Sequence, residues 1–194
     1  MKTKTVLLNL VILVCVALLG YSLTLYFNGQ KPDIIVQPEA PAEKMADKDT
    51  VPDYSFVAMD GEEYSLQQFR GKIVLLNFWA SWCAPCIKEF PHLIEIANNH
   101  PDDLVFVGLS SDVAEKTMLA FVKKFENKMD AKLDTDNIII ALDRDEATHR
   151  LFKTYRLPET LIIDQDGIMR EKLIGADWTV EYVEKQIEEI NSEQ

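Results

Sequence analysis

Apolar and polar positions divide this chain into three regimes. Val6 to Phe27 is an almost unbroken apolar run, residues 28–50 are polar with Pro32, Pro38 and Pro41 among Lys, Asp, Glu and Gln, and from Val51 onward apolar stretches recur with alternating periods. In the third regime, Ile73 to Trp79 and Leu104 to Leu109 are near-continuous apolar runs, the pattern of strands covered on both faces. Ile87, Phe90, Leu93, Ile94 and Ala97 recur at helical spacing after Pro85. Within Ala114 to Phe125, Met118, Leu119, Phe121, Val122 and Phe125 do the same, which predicts an amphipathic crossover helix. Tyr54 to Val57 and Glu62 to Tyr64 flank Asp60-Gly61 and predict a small hairpin. Ser65 to Arg70 predicts a helical turn, Asn137 to Leu142 a strand and Asp145 to Tyr155 a short helix. Leu161 to Ile163 and Ile168 to Ile174 predict a hairpin around Asp166-Gly167, and Thr179 to Ile190 a closing helix. Strands alternating with helices predict an α/β domain over residues 51–194, with a central mixed sheet, helices on both faces and an N-terminal β-hairpin extension. Lys128 to Asp136 is a polar connection that reads either as a solvated loop or as the lip of a groove.

The N-terminal regime sets the expected location. A helix of about 20 residues spans the roughly 30 Å of bilayer hydrocarbon, and Val6 to Phe27 is long enough. Lys2 and Lys4 precede the run, and the positive-inside tendency keeps that end in the cytoplasm. The expected organisation is a cytoplasmic N-terminus over 1–5, a transmembrane anchor over 6–27, a flexible tether over 28–50 and an extracytoplasmic domain over 51–194. A cleaved signal peptide has an apolar core of only about 7–15 residues with a small-residue site close behind, whereas Tyr26-Phe27-Asn28 follows this one. Cys15, inside the run, reads as an apolar filler.

The candidate chemistry is Cys83-Ala84-Pro85-Cys86, two cysteines at the point where a helix follows an apolar strand. Unpaired N–H groups and the positive end of the helix dipole favour a thiolate at Cys83, which makes it the expected nucleophile. Cys86, about one turn further in, is placed to attack a mixed disulfide on Cys83 and release the product. Half of a zinc site is the competing reading, but it needs a second ligand pair and the only other cysteine is Cys15. A purely structural bridge closing so short a loop constrains the unfolded chain little. No metal and no cofactor is expected. A net charge of −12 speaks against nucleic acid and anionic lipid headgroups as partners.

Asn77-Phe78-Trp79-Ala80-Ser81-Trp82-Cys83-Ala84-Pro85-Cys86, followed by Lys88-Glu89-Phe90-Pro91, resembles the active-site strand and helix of thioredoxin-like proteins. Among them it is similar to the membrane-anchored TlpA/ResA/CcmG group of thiol–disulfide oxidoreductases. A second motif, Leu157-Pro158-Glu159-Thr160 running into Leu161-Ile162-Ile163-Asp164, is similar to the family's cis-proline loop and following strand. The resemblance implies a thioredoxin-like fold, a redox-active Cys83–Cys86 disulfide, a cis bond at Pro158 and a substrate platform built from Trp82, Leu157 and Pro158. It implies that Asn77 stands where other thioredoxins carry a buried aspartate, and an amide takes up no proton. Glu89, three residues after Cys86, matches the acidic residue that ResA-like proteins place near the dithiol and is the expected proton acceptor.

The family further implies an exported disulfide-containing protein as substrate, such as apocytochrome c during cytochrome c maturation, and a membrane thiol-reductant relay protein as electron donor. Alternatives are a general periplasmic disulfide reductase or isomerase, an extracytoplasmic copper-binding chaperone and a non-catalytic interaction domain. A peroxidase is disfavoured because Ala80 occupies the position where peroxiredoxins place a threonine.

Overall fold

The computed structural model describes residues 13–22, 50–129, 133, 135–144 and 147–193, and the chain divides into two units, Met1–Lys44 and Met45–Gln194. In the first unit, residues 13–22 form helix α1, with its side chains exposed. The remainder of the expected 6–27 span and of the 28–50 tether lies outside the described residues, apart from Thr50. Among the described residues no helix is long and apolar enough to cross a membrane.

The second unit begins with β1 (Ser55–Val57) and β2 (Glu63–Ser65), an antiparallel pair turned by Asp60-Gly61. Gly61 takes φ +88°, a conformation that costs glycine nothing. A 3-10 helix over Leu66–Phe69 follows, capped reciprocally by Ser65 and Gln68. Next come β3 (Ile73–Trp79), α2 (Ala84–Asn99), β4 (Leu104–Ser110), α3 (Glu115–Met129), β5 (Ile138–Leu142), α4 (Ala147–Leu151), β6 (Glu159–Ile163), β7 (Met169–Ile174) and α5 (Val180–Ser192).

The larger sheet has the order β5-β4-β3-β6-β7, parallel from β5 to β3 and antiparallel at β6 and β7. β3 and β4 are buried along their whole lengths, the condition under which a strand is apolar on both faces. Alternate residues of β3 feed two separate cores. Ile73, Leu75 and Trp79 join Phe90, Leu93, Phe106, Met118, Val122, Phe125, Val183 and Ile187, so α2, α3 and α5 all contribute to this core. Val74, Leu76 and Phe78 join Phe56, Leu66, Val105, Val107 and Phe152.

The cover is uneven between the two faces. Three long helices supply the first core, whereas the second is closed mainly by the β1–β2 hairpin, the 3-10 helix and Phe152 just after the short α4. The helix expected over Asp145 to Tyr155 stops at Leu151, and Lys153 at φ +52° turns the chain out of it. α3 instead runs on to Met129, into the connection expected to be polar. Leu133 in that connection is fully buried in the first core, so it is not a wholly solvated loop.

Candidate active site

At the C-terminal end of β3 the chain turns through Ala80-Ser81-Trp82 into α2, and Cys83 is the N-cap of that helix. The backbone N–H of Cys86 donates to Cys83 Sγ at 3.3 Å. Pro85 lies in the first turn, where its missing N–H leaves no helical acceptor unfilled. Cys83 and Cys86 form a disulfide with their Cα atoms 5.3 Å apart. Cys86 is fully buried and Cys83 is 6% exposed, so an incoming group meets Cys83 first. Once the bridge opens, the amide donor and the helix dipole favour negative charge on Cys83 Sγ.

The entry loop is fastened by a residue just past the end of the neighbouring strand β4. Asp112 accepts from Ser81 N at 3.0 Å, from Ser81 Oγ at 2.7 Å and from Ser110 Oγ at 2.7 Å. No local pattern in the sequence shows this anchor, because Ser81 and Asp112 lie 31 positions apart. Trp82, 66% exposed, stands beside the cysteines with its ring in solvent.

The second motif arrives by strand pairing. β6 runs antiparallel to β3 with Glu159 opposite Phe78, which brings the loop before β6 to the end of β3 that leads to the cysteines. The Leu157–Pro158 peptide bond is cis, as expected. Leu157 is half-buried and packs against both cores, Pro158 is buried, and Pro158 O accepts from Gly175 N at 2.9 Å.

Three residues after Cys86 on the same helix, Glu89 joins a buried polar network. Asn77 Nδ2 donates to Glu89 Oε1 at 2.8 Å and to Thr160 Oγ1 at 2.9 Å, and Trp178 Nε1 donates to Glu89 Oε2 at 3.1 Å. Glu89 is 1% exposed, far from a solvated surface glutamate. Burial pushes its carboxyl up from 4.5 to about 7, against the opposing pull of the Asn77 and Trp178 donors. Trp178 was not singled out from the sequence. A tryptophan in the polar stretch Gly175-Ala176-Asp177-Trp178-Thr179 is the signal that could have found it, since a half-buried indole N–H needs an acceptor. Its ring also meets His92 at 6.1 Å and lines an open groove of about 480 Å³ with Leu173, Ile174 and Tyr182. Among the described residues no cluster of His, Cys, Asp and Glu is arranged to hold a metal ion.

Residues 46–187 match the model of the Redoxin family. The chain belongs to the Redoxin family. The thiol-disulfide oxidoreductase ResA of Bacillus cereus is 31% identical over 152 residues, covering 78% of this chain and 82% of that protein. ResA of Geobacillus kaustophilus is 28% identical over 189 residues, 97% of each chain. Among solved structures, a DsbE-type thiol:disulfide interchange protein from Chlorobium tepidum superposes with a TM-score of 0.63 at 26% identity, covering 74% of this chain and 97% of that one. This redoxin is thus a TlpA/ResA-like member of the thioredoxin fold and a thiol–disulfide oxidoreductase, with its Cys-x-x-Cys pair held as an N-terminal helix disulfide.

Proposed function

We propose that this redoxin is a membrane-tethered, extracytoplasmic enzyme that reduces disulfides in exported proteins. The observation that carries the reading is Cys83 as the less buried sulfur at the helix N-terminus, with Cys86 fully buried behind it. In the reduced protein the Cys83 thiolate attacks one sulfur of a substrate disulfide. The Cys83–substrate bond forms, the substrate S–S bond breaks, and the second substrate sulfur leaves as a thiolate that takes up a proton. Cys86, once deprotonated, attacks Cys83 Sγ, which forms the Cys83–Cys86 bond and expels the remaining substrate sulfur. The substrate gains an electron pair and the protein dithiol loses one. Glu89 accepts the Cys86 proton: it lies one helical turn on, away from bulk water, and burial pushes its carboxyl up to about 7, which makes it a better proton acceptor than an ordinary glutamate.

The apolar run Val6 to Phe27 behind Lys2 and Lys4 supports a single-pass anchor with the enzyme outside, where disulfides persist. The TlpA/ResA/CcmG resemblance and the Pro158-Glu159-Thr160 sequence support apocytochrome c as the substrate and a membrane thiol-reductant relay protein as the donor. A full-length Cys86→Ala variant cannot resolve mixed disulfides and tests this in cells. Mass spectrometry of trapped partners is expected to recover apocytochromes and a membrane thiol reductant. Many unrelated exported proteins would replace the cytochrome reading with general reduction, and cytosolic partners alone would overturn the location.

A further inference from the structure

We propose that Glu159 is a positioning residue for substrate docking: with Lys172 it holds the chain from Lys153 to Pro158 in the shape that receives an extended, disulfide-bearing polypeptide. The inference rests on the exchange reading above. Glu159 follows the cis-proline and is 1% exposed. It pairs in register with Phe78, whereas Asn77 pairs with Thr160, so Glu159 points to the face of the sheet opposite Glu89 and takes no part in that network.

A buried carboxylate is costly unless it is paired and hydrogen-bonded, and Glu159 is both. Its Oε1 accepts from the backbone N–H of Tyr155 at 3.0 Å and of Arg156 at 3.2 Å. Its Oε2 lies 2.8 Å from Lys172 Nζ, an ion pair without hydrogen-bond geometry. Lys172 Nζ also donates to Lys153 O at 2.6 Å and stands 5.8 Å from the centroid of the Tyr155 ring. Among the described residues, the groups that these two side chains hold, apart from each other, are Lys153 O, the Tyr155 ring and the Tyr155 and Arg156 N–H groups, within the few residues that lead to Pro158. The Tyr155 ring is left 85% exposed on the outside of the loop, a rigid aromatic contact for a partner chain.

A small disulfide needs only Cys83, whereas a polypeptide must also register on the loop. The test compares second-order rates of the reduced protein with hydroxyethyl disulfide and with an extended peptide carrying one cysteine as its thionitrobenzoate mixed disulfide. For Glu159→Ala the ratio of peptide rate to small-disulfide rate is expected to fall roughly 10- to 100-fold, the scale of loss when a docking group is misplaced by about an ångström. Glu159→Gln keeps an oxygen for the Tyr155 and Arg156 N–H groups and is expected to restore most of that ratio. A general structural role would lower both rates together, so an unchanged ratio overturns the proposal. Should Glu159→Ala fail to fold, Lys172→Met, which releases Lys153 and Tyr155 but leaves the two N–H bonds, decides by the same ratio. A wild-type protein that consumes neither probe would overturn the exchange reading and this inference with it.

Discussion

Glu89 carries two opposing demands on one carboxyl group. Both oxygens receive N–H donors, which favours the carboxylate, while burial disfavours charge and wins, lifting the group to about 7. The folded protein therefore binds this proton more tightly than the unfolded chain does. Stability from this group is complete below about pH 4.5 and is lost as pH rises through 7, a change on the order of 3 kcal/mol. Urea unfolding of the oxidised protein between pH 5 and pH 8 is expected to show that slope, and Glu89→Gln is expected to flatten it. Parallel profiles for the two proteins would contradict the buried, proton-binding Glu89. The same substitution is expected to slow disulfide reduction and to change its pH profile. At this scale the sequence was informative where spacing along one element mattered: Cys83, Cys86 and Glu89 share a helix. Trp178, which completes the carboxylate's environment, comes from a loop 89 positions away, and no local pattern ties the two together.

Between β3 and α2 the chain makes a short turn whose geometry places Cys83 at the helix N-terminus, and Asp112 secures that turn. Asp112→Ala would leave the Ser81 N–H and the Ser81 and Ser110 hydroxyls without their acceptor, at a cost of about 1–3 kcal/mol for the buried groups. Thermal unfolding is the check, and an unchanged midpoint would show that the turn holds itself. Element types were legible because their periods are strong: β3 and β4 are apolar throughout, and α2 and α3 repeat at helical spacing. Boundaries were less so. α4 ends at Leu151 because Lys153 adopts φ +52°, a backbone choice that Lys does not advertise, and α3 continues through polar residues that favour a helix as readily as a loop.

For the molecule as a whole, one central strand distributes its side chains to two cores and its ends to the chemistry. Trp79, next to the active-site turn, packs on Phe90 and Phe121 with ring centroids 4.9 Å and 5.1 Å away, so the cysteine-bearing helix is seated on an aromatic cluster. The unequal cover of the sheet was hidden from periodicity, which reports that a face is buried but not what buries it. Strand pairing between β3 and β6 then unites two motifs that lie far apart in sequence. The central claim is that Cys83 attacks and Cys86 resolves. The most direct test incubates the reduced wild type, Cys83→Ala and Cys86→Ala with a disulfide substrate and reads the products by intact mass. Turnover to the internal disulfide in the wild type, a stable stoichiometric adduct on Cys83 in Cys86→Ala and no reaction in Cys83→Ala are the results expected. An adduct on Cys86, or retained turnover without Cys83, would contradict the assignment.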